Sequence, residues 1–178
     1  MGYREFAKDY EIQYENCPGR KRPKAVRVYV GPWFRFKAPP EKVRFLRWFY
    51  LVGMAISFLG ILIPLCIDCA FTRIWYIQVP AVAALIPWVF AACATWRLWT
   101  AGEKVNREHN HLLGGRMSGA CLFMMGFSGI SAIGCIYTLT SQGAFGLDYL
   151  VCACSLLATV SGIALFSRRK SLDMEMID

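Results

Sequence analysis

Two thiols stand three residues apart in Cys66-Ile67-Asp68-Cys69, a C-x-x-C spacing that lowers a thiol pKa and supports thiol and disulfide exchange. His109-Asn110-His111 follows Glu108, and two imidazoles beside a carboxylate can bind a metal ion. Their i,i+2 spacing turns them to different sides of a helix, so a solvated loop is expected there, with no metal and no cofactor. No Ser-His-Asp set, phosphate loop, dinucleotide-binding glycine fingerprint or glycosidase carboxylate pair stands in a usable context. Catalysis of the soluble kind is therefore not supported, and Cys66 with Cys69 is the candidate redox pair.

The elements that must position these residues follow from composition. Of 178 residues, 56% are hydrophobic and 18% charged, and the mean hydropathy is +0.38, which excludes a single water-soluble core. The 15% of aromatic residues excludes disorder. A formal charge of +8 raises the question of nucleic acid, yet nothing matches a recognition module, and no nucleic-acid partner is expected. Seven of the eight cysteines lie in or beside apolar runs, where Cys behaves as a small apolar residue rather than as part of a disulfide framework. Neutral stretches cover 48–67, 74–96, 117–147 and 149–167, and about 20 helical residues suffice to cross a hydrocarbon core. We read an all-α integral membrane protein, a four-transmembrane-helix bundle with spans 45–67, 74–99, 117–139 and 147–166, preceded by a small β-hairpin segment.

Direction follows from the cations. Residues 1–47 hold twelve Lys and Arg, the central connection carries Lys104, Arg107 and Arg116 with Arg97 at its start, and the tail 168–178 carries Arg168, Arg169 and Lys170. The other two connections hold only Arg73. Positive residues near span ends stay on the cytoplasmic side, so both termini and the central connection are expected inside, in a multi-pass protein of the cell's plasma membrane. Trp48, Tyr50, Trp96 and Trp99 then mark the inner boundary, and Trp75, Tyr76, Tyr137 and Tyr149 the outer one. The first long apolar run begins only after Arg47, so no cleavable signal is expected. Glu103 with Arg107 and Lys104 with Glu108 have i,i+4 spacing, which predicts that the second helix continues beyond the bilayer until Gly114-Gly115 interrupts it.

With four spans, the C-x-x-C at the outer end of the first, and Cys135, Cys152 and Cys154 toward the same leaflet, the chain resembles in architecture the quinone-reducing membrane thiol oxidoreductases. These are the disulfide-bond formation B and vitamin K epoxide reductase families. The resemblance implies electron transfer through Cys66 and Cys69, but the connection 140–148 has no cysteine to relay electrons from a soluble partner.

Residues 1–44 are polar yet patterned. Ala25 to Val30 and Trp33 to Lys37 alternate around Gly31-Pro32, which predicts a β-hairpin over about 25–37 with Gly31 free to take positive φ. Pro39-Pro40-Glu41 stops the strand and starts a helix. The basic run Arg20, Lys21, Arg22 and Lys24 would favour anionic headgroups at about 1 kcal/mol each. Trp33, Phe34 and Phe36 would then rest on the membrane surface or on a partner protein.

Small residues recur at packing intervals: Gly53 with Ser57, Gly115 with Gly119, Gly126 in the third span, and Cys154, Ala158 and Gly162 in the fourth. Backbones approach closely along such stripes, whether within the bundle, between copies, or against a larger membrane protein. Pro80 and Pro87, seven apart on one face of the second span, suit a kink that opens a transport cavity. An accessory or assembly subunit of a larger membrane complex is the function expected first, with a small transporter or thiol oxidoreductase as alternatives.

Overall fold

The computed structural model describes residues 6–15, 24–143 and 146–177. Four of its helices are long and apolar enough to cross a membrane. The first, α1 (Pro40–Cys66), starts on Pro40, where the missing N–H is one that a helix start leaves unbonded anyway. Its 27 residues reach about 40 Å at 1.5 Å per residue. The second crossing runs from Trp75 to Thr100 and is divided into α2 (Trp75–Ala83) and α3 (Leu85–Thr100). Pro80 and Pro87 each remove a donor from the i−4 ladder, and the division falls between them at Ala84. There the Ala84 N–H bonds to the Pro80 carbonyl at 2.9 Å and the Ala84 carbonyl accepts from Trp88 N at 3.1 Å.

The second helix ends at Thr100, short of the expected extension toward Gly114-Gly115, and Val105–Asn106 forms a strand, β4. Asn106 then caps α4 (Arg107–His111) by accepting the His109 N–H at 2.9 Å. A π-helical turn, Leu112–Arg116, carries the chain into α5 (Met117–Gln142), so Gly114-Gly115 widens the helix instead of breaking it. The fourth crossing is α6 (Leu147–Ser167). Among the described residues, positive φ falls at Gly143 and Gly146, in the connection between α5 and α6.

Helix α6 packs against both α1 and α5, α5 packs against α2 and α3, and α3 returns to α1, closing a four-cornered bundle. Tyr50, Leu98, Leu113, Met124 and Leu165 are fully buried inside it. A second apolar cluster, Phe71, Ile77, Cys135, Val151 and Cys152, fills the end away from the termini. Outward, α1 presents Phe45, Val52 and Leu59, α3 presents Ile86 and Phe90, α5 presents Phe123 and Ile133, and α6 presents Leu157 and Val160. Such a continuous apolar girdle is stable against lipid and not against water. The chain is a polytopic membrane protein with four helical spans.

A hairpin is present before α1, but its arms are β1 (Tyr10–Glu15) and β2 (Lys24–Tyr29), antiparallel with Tyr10 opposite Tyr29 and Glu15 opposite Lys24. The strand that follows, β3 (Trp33–Phe36), does not pair with β2. It lies between β4 and β5 (Met174–Ile177), with Trp33 opposite both Asn106 and Ile177. The predicted pairing across Gly31-Pro32 is thus replaced by a corner that hands the chain from one sheet to another. Gly31 serves it through close approach and not positive φ, since a Cβ there would stand 2.7 Å from Tyr29 Oη and 2.8 Å from Asp9 Cβ. Polar strand edges need partners, and for β3 the central connection and the tail supply them.

Candidate functional site

Three regions hold the residues singled out from the sequence. The first is the small-residue surface of the bundle, which the structure divides in two. A Cβ on Gly53 would meet Leu165 Cδ2 at 2.7 Å, one on Gly60 the Cys154 carbonyl at 2.8 Å and Ala158 Cβ at 3.0 Å, and one on Gly162 Met125 Cβ at 3.2 Å. Gly53, Cys154, Ala158 and Gly162 therefore serve packing of α1, α5 and α6 inside the monomer. Ser57 is buried beside them and donates to the Met54 carbonyl at 3.1 Å.

Gly115, Gly119 and Gly126 behave differently. A Cβ built on any of them meets nothing within 4 Å among the described residues. The three lie near one face of the π turn and α5, with Leu122, Ile133 and Tyr137 exposed along the same side. The result is a shallow track of bare backbone flanked by large apolar side chains, a shape into which another helix can settle closely.

The second region is the sheet end. The hairpin is clipped to the central connection: Tyr29 Oη accepts from Arg107 N at 3.0 Å and donates to the Pro32 carbonyl at 2.8 Å. Asn106 Nδ2 bonds Tyr10 Oη at 3.2 Å, and Arg107 reaches Asp9 at 3.9 Å. Phe36 is buried in the main core and Phe34 packs against it, which corrects the expectation that these aromatics lie on a surface. Trp33 stays 40% exposed, edge-on to Tyr29 at 4.9 Å. Lys24 opens β2, while Arg20, Lys21 and Arg22 lie outside the described residues. His109 and His111 do not converge: His109 Nε2 sits 3.1 Å from Arg97 Nη1, and His111 packs on Phe6 at 5.9 Å.

The third region is the thiol end. Cys66 is the last residue of α1 and exposed, and Cys69 is partly buried; both are free thiols. Thr72 Oγ1 accepts from Cys69 N at 3.1 Å and donates to the Cys69 carbonyl at 3.0 Å, fixing the turn. Asp68 takes a bidentate ion pair from Arg73 at 3.0 and 2.9 Å, and that guanidinium holds its carboxyl below the usual carboxylate range. Cys69 packs against the cluster containing Cys135 and Cys152, whereas Cys154 belongs to the α1 packing seam. Sequence patterning missed buried Asp148 in this region, whose Oδ1 accepts from Phe71 N at 3.3 Å. The signal for it was an acidic residue in the first turn of a helix.

No family model, curated protein or solved structure matches the chain.

Proposed function

We propose that this four-span protein is an accessory or assembly subunit of a larger membrane complex, placed in the plasma membrane with both termini cytoplasmic. The observation that supports it is the open track at Gly115, Gly119 and Gly126. Glycine in a helix interior costs roughly 0.5–1 kcal/mol relative to alanine, and among the described residues nothing stands within 4 Å of a Cβ at these three to offset that cost, in contrast to Gly53, Gly60 and Gly162. A helix of a different membrane protein seated on the track would. The cation distribution supports the orientation, and the basic run 20–24 fits anionic headgroups on the same side.

The test is purification in several mild detergents with the chain as bait. A stoichiometric membrane-protein partner is expected, retained by the Gly60→Ala variant if it folds and lost in the Gly119→Leu, Gly126→Leu double variant while helicity is unchanged. Recovery as a partner-free monomer in every detergent, or as a homo-oligomer alone, would overturn the proposal.

A further inference from the structure

At the sheet end, a cavity of about 660 Å³ opens between β3, the first turns of α1 and the chain just past α3. That volume lies in the range of small-molecule sites. Arg35, Arg44, Arg47, Trp48, Trp99 and Glu103 line it, so three arginines and one glutamate contribute to its wall. Arg47 Nη2 donates to the Ala101 carbonyl, which holds the side chain in place. Arg47 Nε is buried and has no hydrogen-bond partner among the described residues. A buried cationic donor without an acceptor is costly, and a guanidinium fork matches a phosphate.

The surroundings favour a lipid phosphate over a free one. Trp48 and Trp99 stand edge to face at 5.0 Å, and tryptophans near span ends favour the boundary of the hydrocarbon. Below Arg44 on the same face of α1, at helical spacing, come Trp48, Leu51, Ala55 and Leu59, all exposed. The arginine-lined cavity and this apolar strip thus share Trp48 and one face of α1, and the strip is long enough to carry an acyl chain.

We infer that this cavity binds the headgroup phosphate of a glycerophospholipid, with Arg35, Arg44 and Arg47 on the phosphate and one acyl chain along Leu51, Ala55 and Leu59. Glu103 accepts from a headgroup hydroxyl or ammonium. The site is independent of the glycine track on α5 and does not rest on the accessory-subunit reading.

The full chain in a mild detergent would be titrated with dioleoyl phosphatidylglycerol, with dioleoylglycerol, and with inorganic phosphate, reading thermal unfolding and bound lipid by native mass spectrometry. Phosphatidylglycerol is expected to raise the midpoint and to remain bound, while dioleoylglycerol and inorganic phosphate do neither. Arg44→Ala and Arg35→Ala, both exposed positions, are expected to weaken lipid binding about tenfold each, as loss of a charged hydrogen bond does. Arg27→Ala on β2 is the remote-charge control and should leave it unchanged. Equal effects of dioleoylglycerol would reduce the site to an apolar groove, and equal effects of inorganic phosphate would make it a free-anion site. Either result, or unchanged affinity in both arginine variants, overturns the inference.

Discussion

The hydroxyl of Tyr50, in the first half of α1, donates to the main-chain carbonyl of Leu165 at 2.9 Å across 115 positions of sequence. Both residues are almost completely buried. Leu165 lies in the last turn of α6, where carbonyls run out of intrahelical donors, so Tyr50 ties the first helix to the end of the last. Tyr50→Phe keeps the ring and removes the donor. We expect a loss of about 1 kcal/mol in detergent unfolding with no change in helix content by circular dichroism. An unchanged stability would show that the carbonyl finds another donor.

Glycines of the two classes should respond oppositely to alanine. Gly60→Ala forces a methyl group against the Cys154 carbonyl at 2.8 Å, and overpacking of this kind costs about 1–3 kcal/mol. Gly126→Ala meets open space and gains helix propensity, so the isolated protein is expected to be unaffected or slightly stabilised. Paired unfolding curves measure this, and equal destabilisation of both variants would contradict the division of the glycines.

The tail strand is expected to guard β3. Ending the chain after Asp173 removes β5 and every β3–β5 pair from Trp33↔Ile177 to Phe36↔Met174, leaving only the two-residue β4 on β3. Limited trypsin digestion should then cut at Arg35 or Lys37 at least several-fold faster than in the full chain, while the four spans stay intact. Unchanged cleavage would mean that Phe36 burial alone holds the strand.

The orientation proposal has a direct readout. Reporter fusions at residue 178 should report the cytoplasm, and fusions at Gly143, exposed between α5 and α6, should report the opposite side. The same result at both positions would refute the four-span topology, and the reversed result would refute the placement of the cations inside.

The four spans were legible in the linear order of residues because a bilayer imposes a local rule. Any segment that crosses must satisfy its backbone internally and expose apolar side chains over about 20 residues, and a run such as 48–67 meets that rule without reference to the rest of the chain. A helix start at Pro39-Pro40-Glu41 and a kink in the second span at Pro80 and Pro87 were readable for the same reason, since proline acts on its own turn; that the span divides at Ala84 was not.

Pairings were not legible. Alternation in Ala25 to Val30 and Trp33 to Lys37 marks strands, but a strand pattern does not name its partner. Trp33 finds its neighbours at Asn106 and Ile177, more than 70 and 140 positions away, on the strand whose Phe36 is buried in the core. Likewise Gly53 and Gly126 carry the same absence of a side chain. Whether that absence is filled by Leu165 or left open depends on which face of the helix meets a neighbour. The arginine cavity arises the same way, because Arg35, Arg44 and Glu103 come from three separated segments. Hydropathy and backbone chemistry act within one element, whereas pairing, packing and pocket formation depend on surfaces that meet only when the helices have closed around one another.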